Sequence, residues 1–428
     1  MAVNASPLAV FPLVVLLLAI VGLVPSRAGA EGWQVRLSTA PEGPTEFLAV
    51  DKSQQGLFVF ERQSPLAVVD KAVCTTGEKV GDKREEGDLK TPEGVYFIGN
   101  RLDAGLDYDL YGGLAFTLNF PNPVDRVKGK TGSGIWIHGR GHKITPRETK
   151  GCVALNNEDL TRLEPRLRAN LPVLIAGEVA WTNAEGQSEV PANLARQVEA
   201  WAKAWGSKSK EFFEYFDPVR FAKSEGHPFE AFRSHKEGLF ANLPWLQVQV
   251  SDVTVLPGPD YWVTYFGQYY RSPTLRSEGI KRLYWQADDQ GRLRIVGNEW
   301  IEASLGLEQR YVEHVSRDMA ALVEAWRKAW EHSDLESYLS YYDTQAEQDA
   351  RRGLDGIRAH KAELWRKSRP LRVGIDNFEV QLHPRGLQIQ FDQHYQAANG
   401  YKDMGHKTLL LEPQGDRWRI VSETWSAS

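Results

Sequence analysis

Only two cysteines, Cys74 and Cys152, occur in the 428 residues, so at most one disulfide is possible. Metal-ligand spacings are missing as well. There is no CxxC, no HExxH and no cluster of histidine with carboxylates, and neither a metal nor another cofactor is expected. No strongly basic block offsets the net charge of −5, which argues against nucleic acid as a partner. The main apolar run, Phe11–Val24, is short for a bilayer span and carries Pro12. What remains is the composition of a soluble globular protein, 42% hydrophobic and 25% charged, in a chain long enough for roughly two to four domains. Fourteen tryptophans suit cores with pockets.

The apolar run leads into Pro25-Ser26-Arg27 and then Ala28-Gly29-Ala30, small residues at a cleavage position. Residues 1–30 are expected to be a signal peptide, with Glu31 first in a mature chain that holds no transmembrane span. Met1–Pro7 lacks Lys and Arg, so an uncleaved membrane anchor is the alternative. Export would permit a Cys74–Cys152 disulfide, but the glycine-flanked loop around Cys152 suits a free reactive thiol.

The chemistry concentrates in Ile135–Asn156, IWIHGRGHKITPRETKGCVALN. Ile135-Trp136-Ile137 reads as a strand that delivers His138-Gly139 to a loop, and Val153-Ala154-Leu155 reads as a second strand directly after Cys152. A lone cysteine is ordinarily a small hydrophobe and a lone histidine is ordinarily just hydrogen-bonded. Here thirteen residues separate the two, and they stand at the ends of two strands that can lie side by side. Such a pair makes a nucleophile: histidine takes the thiol proton and sulfur attacks a carbonyl. Gly151 would let the backbone aim N–H groups at the developing oxyanion.

The string I-H-G followed by T-x-G-C resembles the signature of the L,D-transpeptidase catalytic domain, which remodels bacterial peptidoglycan through a cysteine acyl-enzyme. A second phrase resembles the same domain upstream of its HG: Thr76-Gly77, Gly81-Asp82 and Thr91-Pro92-Glu93-Gly94-Val95-Tyr96. The resemblance covers about Phe47 to Gly177 and departs from the family pattern twice. Lys150 stands where histidine is usual, and Ala154 where the family has arginine. Arg140, Arg147 and Lys150 are the candidates to replace that arginine. The polar, glycine-rich stretch between the motifs reads as a loop, most of Lys79–Lys90 being solvated.

The resemblance implies attack by Cys152 on the tetrapeptide stem of peptidoglycan with release of D-Ala. His138 acts as acid and base, Gly151 contributes to the oxyanion site and Gly139 sets loop geometry. Arg140, Thr149, Lys150 and His142 are expected on the substrate side, His142 as a lesser candidate base. Resolution of the thioester by an amine gives an L,D-transpeptidase; resolution by water gives an L,D-carboxypeptidase. The mature protein is then periplasmic, or membrane-anchored facing the periplasm.

Strand patterns recur from Phe47: Phe47–Val50 and Leu57–Phe60 flank Gln55-Gly56 as a hairpin, and Leu66–Val69, Leu110–Phe120, Gly134–Ile137 and Leu171–Ile175 follow. Asn157–Leu163 reads as a short helix. This predicts a mainly-β sandwich or barrel over 47–177, after an N-terminal segment 31–46 and before a linker 178–192.

The remainder is a tandem repeat at an offset of 125 residues. Val198-Glu199-Ala200-Trp201 and Trp205 recur as Val323-Glu324-Ala325-Trp326 and Trp330, and His235-Lys236, Gln268, Tyr270 and Trp300 recur as His360-Lys361, Gln393, Tyr395 and Trp425. Leu194, Val198, Trp201 and Trp205 fall on one helix face, and alternating strands follow. The order resembles the α+β cone fold of nuclear-transport-factor-like (SnoaL-like) domains, over 193–303 and 312–428, which implies a small ligand or an envelope protein as partner. His235, Asp217, Gln268 and Tyr270 are the candidate pocket residues, with structure or binding favoured over catalysis. A catalytic domain followed by cone repeats resembles the cell-shape L,D-carboxypeptidases. The rival from another class is a non-catalytic envelope scaffold with a buried, inert Cys152.

Overall fold

The computed structural model describes residues 32–427 except 64, 186, 187 and 416; the expected signal segment lies outside the described residues. The strands of the first domain are β1 (Gln34–Thr39), β2 (Glu46–Asp51), β3 (Gly56–Glu61), β4 (Ala67–Thr75), β5 (Gly94–Leu102), β6 (Ala115–Leu118), β7 (Trp136–His138), β8 (Val153–Leu155), β9 (Pro172–Ala176) and β10 (Glu178–Glu185). Three short helices interrupt them: α1 (Tyr108–Tyr111), α2 (Pro123–Val127) and α3 (Asn157–Leu163). Strands β2-β3-β4-β8-β7-β6-β5-β9 close into a barrel, so no edge is left unpaired around the site.

The hairpin at Gln55-Gly56 is present, with Asp51 opposite Gly56, and α3 covers the expected residues. Two expectations change. Leu110–Phe120 is not one strand: Asp107 caps Leu110 N–H and starts α1 before β6 begins. Residues 178–185, expected as linker, form β10, which pairs in parallel with β1 from the N-terminal segment. The alternation Val179, Trp181 supports that pairing: Val179 is buried and Asp51 Oδ2 accepts its N–H at 2.9 Å.

The loop between the two upstream motifs is more buried than its charge suggests. Lys83 is 3% exposed and pairs with Asp88 at 2.8 Å, and Lys130 pairs with Asp82 and Asp125 at 2.8 Å each. Lys52 donates to Glu93 at 2.8 Å and to the Thr91 carbonyl at 2.8 Å. Each buried ammonium has its own carboxylate, the arrangement that makes burial of charge tolerable.

Copy 1 comprises α4 (Val190–Gly206), α5 (Pro218–Glu225), α6 (Phe229–Asn242) and an antiparallel sheet of β11 (Gln247–Pro257), β12 (Trp262–Arg271), β13 (Arg276–Ala287) and β14 (Leu293–Glu302). Copy 2 comprises α7 (Leu307–Glu331), α8 (Leu335–Leu339), α9 (Gly353–Lys367) and a sheet of β15 (Tyr342–Gln348), the short β16 (Arg351–Arg352), β17 (Pro370–His383), β18 (Gly386–Ala397), β19 (Lys402–Gln414) and β20 (Arg417–Ala427). The tryptophan faces are buried in each cone, with Trp201 on Trp205 and Trp326 on Trp330, both at 5.3 Å. Among the described residues no helix is long and apolar enough to cross a membrane.

Copy 1 and the barrel share one core, in which Val95, Phe97 and Val124 meet Tyr261, Val263, Tyr284 and Val296. At its centre the Tyr261 hydroxyl accepts from the Val95 N–H at 2.8 Å and from the Asn122 amide at 3.2 Å. Copy 2 continues from copy 1 through Glu278, whose carboxylate accepts the Leu305, Gly306, Leu307 and Glu308 N–H groups at the start of α7. Tyr261→Phe leaves the two donors at the first seam without an acceptor. It is expected to cost ~1–3 kcal/mol, read as a lower urea midpoint; an unchanged midpoint contradicts this account of the seam.

Candidate active site

Two strands of three residues each place the candidate pair, His138 and Cys152. β7 runs parallel to β8 with Ile137 opposite Val153 and His138 opposite Ala154. Side chains alternate along a strand, so Trp136 and His138 share a face with Cys152 and Ala154. His138 and Cys152, one residue before Val153, are therefore diagonal neighbours across the parallel pair.

His138 is 2% exposed. Its Nδ1 lies 2.6 Å from the Gly139 carbonyl, which only accepts, so Nδ1 holds the proton and Nε2 is left as the base. Tyr111 of α1 packs edge-on against the imidazole at 5.1 Å and against Trp136 at 5.2 Å, closing the ring in from one side. Burial pushes His138 down to about 4, and the Arg140 charge acts in the same direction.

Cys152 is half-buried and free, and Cys74 is free and buried. The Cys152 thiol faces the Gly134 carbonyl at 3.4 Å, and the Trp136 N–H is the hydrogen bond that favours thiolate. Burial outweighs that bond and the Arg140 and Lys83 charges, and raises the thiol above its usual range. Burial thus favours the neutral form of both groups, the thiol and the imidazole.

The turn before the nucleophile is built by Thr149. Its Oγ1 donates to the Cys152 carbonyl at 2.7 Å and accepts the Gly151 N–H at 3.2 Å. Gly151 has φ +137, and a Cβ there would meet the Lys90 carbonyl at 2.9 Å, so glycine is required. Thr149 accepts the Gly151 N–H in this structure, and Gly151 shapes the turn directly before Cys152. Gly139 packs directly on Asn157, whose Oδ1 would lie 2.0 Å from a Cβ at that position. The two upstream motifs meet here as well. Thr91 Oγ1 accepts the Gly77 N–H at 2.8 Å and reaches the Cys152 carbonyl at 3.5 Å.

Of the expected substrate-side residues, Thr149 is buried in the turn and Lys150 is exposed. Arg140 is held by the Leu110 carbonyl at 3.1 Å and lies 3.4 Å from Glu148, and its charge reaches both His138 and Cys152. The His142 side chain is 55% exposed and 3.4 Å from Glu148, turned to a carboxylate and not to the thiol. Arg147 points to the Lys52 carbonyl at 3.3 Å. Ala154, the position of the family arginine, is fully buried opposite His138. Sequence reasoning missed Tyr111, Trp136, Lys83 and Asn157. Only Trp136 left a signal, as an apolar residue just before the HG motif. Among the described residues no group of His, Cys, Asp or Glu could hold a metal ion.

Native alkylation is expected to modify Cys152 and spare Cys74, with a rate that keeps climbing above pH 9 because burial raises the thiol. Cys152→Ala removes the reaction. Fast labelling that is flat between pH 5 and 8 would instead indicate a preformed thiolate.

Comparison with known proteins identifies the domains. Residues 45–175 match the model of the L,D-transpeptidase catalytic domain. Residues 193–299 and 318–424 each match the Cds6 C-terminal NTF2-like domain. YafK of Escherichia coli (strain K12), a protein whose name carries the L,D-transpeptidase designation, is 25% identical over 154 residues, 35% of this chain; the match spans 56% of that relative's length. The structure of Bd1075 from Bdellovibrio bacteriovorus superposes with a TM-score of 0.50 at 29% identity, covering 64% of this chain and 98% of that one. A variant of the helical cell shape determining protein Pgp2 from Campylobacter jejuni gives 0.50 at 27%, covering 61% and 92%. The chain belongs to the proteins with the Cds6 C-terminal NTF2-like domain, which fills half of its length as two copies behind one L,D-transpeptidase catalytic domain.

Proposed function

We propose that the protein is an exported peptidoglycan-remodelling enzyme, an L,D-transpeptidase acting through a Cys152 thioester. The observation that carries this reading is the buried His138, its Nδ1 fixed on the Gly139 carbonyl and its Nε2 left as base on the face that bears Cys152. Cys152 attacks the carbonyl that joins the third stem residue to D-Ala while Nε2 takes the thiol proton. The oxyanion forms beside the Cys152 N–H, and Arg140 and Lys83 supply positive charge. Collapse breaks the C–N bond, and the proton passes from imidazolium to the amine of departing D-Ala. In the second half an amine, deprotonated by His138, attacks the thioester, forms an amide cross-link and returns the thiol.

The second reading is an L,D-carboxypeptidase, in which water replaces the amine and a tripeptide leaves. It is favoured by the relation to Pgp2, named for determining helical cell shape, which aligns over 92% of its length with this chain. Export by residues 1–30 belongs to both readings, with a retained membrane anchor as the alternative.

Residues 31–428 incubated with purified muropeptides, beside Cys152→Ala, test the proposal by mass spectrometry. Dimers joined through third-position residues are expected; tripeptides alone select the carboxypeptidase, and equal inertness of both proteins overturns the enzymatic reading. A His138 held down at about 4 stays neutral, and competent as base, until pH falls through that value. The acid limb of kcat/KM is thus expected near pH 4, and a limb at 6–7 contradicts a buried neutral base.

A further inference from the structure

The two C-terminal copies share an interior frame but not its charge balance. In copy 2, Lys407 on β19 pairs with Glu423 on β20, their side chains 4% and 2% exposed. Glu423 also accepts from the Tyr342 hydroxyl and from the Gln348 amide at 2.7 Å, and the Trp326 Nε1–H donates to Tyr342 at 3.1 Å. A second ammonium, Lys361, lies 4.4 Å from the Trp330 ring centre, with Lys407 at 4.7 Å from the same ring. One internal carboxylate therefore serves two buried lysines.

Copy 1 repeats the donors without the acceptors. Lys281 stands opposite Trp300 just as Lys407 stands opposite Trp425, and Lys236 lies 4.1 Å over Trp205 as Lys361 does over Trp330. Phe216 bridges Ile295 as Tyr342 pairs with Ile420, and Phe212 packs on Trp201 as Tyr338 does on Trp326. At the Glu423 position stands Asn298. Both hydroxyls and the carboxylate are gone.

The donors left behind are poorly served. Lys281 keeps one neutral acceptor, the Asn298 Oδ1. Lys236 is half-buried over the Trp205 and Phe232 rings, and among the described residues the Trp201 Nε1–H, on a side chain 2% exposed, has no hydrogen-bond partner. Lys281 shares its face of β13 with Leu283 and Trp285, both in the cone core, so it points inward. Two carboxylates lie near and both are engaged elsewhere. Glu225 accepts the Asn298 N–H and its amide at 3.2 Å each, and Glu299 accepts from Arg282, Tyr284 and Asn119 at the seam with the barrel. Burial pushes Lys281 down to about 7, reinforced by the Lys236 charge, and Lys236 down to about 8. Glu225 and Glu299 act on Lys281 only through space, and neither ammonium has a carboxylate bonded to it as Lys407 has Glu423.

We propose that the cone of copy 1 binds a small carboxylate ligand between Lys236, Lys281 and the Trp201 indole N–H, where copy 2 holds the Glu423 carboxylate. The class follows from the molecule's own second copy, in which a carboxylate is what this frame accepts. The site is independent of the Cys152 chemistry and does not rest on it.

The test uses residues 31–428 and intrinsic tryptophan fluorescence, titrated with acetate and propionate against chloride at equal ionic strength. A saturable response to the carboxylates over chloride is expected. Asn298→Glu supplies the counter-charge internally, as in copy 2, and is expected to weaken that response about tenfold or more while raising Tm. Lys281→Met is a second route to the same loss if the glutamate variant folds poorly. No saturable response in the wild type, or an undiminished response in a folded variant, overturns the proposal.

Discussion

Everything at the candidate site depends on the parallel pairing of β7 with β8. Both strands have three residues, too few to hold a register alone, and the closed barrel imposes it: β6 clamps β7 on one side and β4 clamps β8 on the other. That register decides the face on which His138 and Cys152 lie. A slip of one residue on either strand would send one of them to the opposite side. The barrel is thus less a container than a device for fixing two backbones side by side.

The surrounding structure maintains this arrangement in layers. Thr149 and Thr91 tie the Cys152 carbonyl to the turn and to the upstream loop. That loop is kept in place by buried ion pairs of Lys52, Lys83 and Lys130. Copy 1 closes the far side through the Tyr261 seam, against α2 and β5, so the first cone is an integral part of the catalytic body. Copy 2 is joined to copy 1 through Glu278 at the start of α7 and through Arg271, which donates to the Gly386 carbonyl.

Local patterns carried much of this organisation in the sequence. The Cys152–His138 spacing, the repeat at 125 residues and the helix faces of Trp201 and Trp326 are properties of short windows or exact recurrences, and each is visible without coordinates. What escaped is non-local. Lys83 looks like a solvated charge until Asp88 and the turn at Gly132 enclose it. Residues 178–185 look like a polar linker until β1, some 140 positions earlier, supplies the partner strand. The role of Gly151 was legible as a turn but not as a donor already used by Thr149, because one hydroxyl decides it. Arg140 stood among three candidate cations, and only the fold shows that its charge reaches both His138 and Cys152.

The central claim is that Cys152 becomes acylated with help from His138. The most direct measurement is intact-protein mass spectrometry of residues 31–428 after rapid acid quench with a tetrapeptide stem, followed by peptide mapping. The account predicts a mass increase equal to the tripeptide acyl group, located on the Cys152 peptide, with D-Ala released in equal amount and both strongly reduced in His138→Ala. Turnover of the stem with no adduct on Cys152 at any quench time, or with full activity in Cys152→Ala, would contradict it.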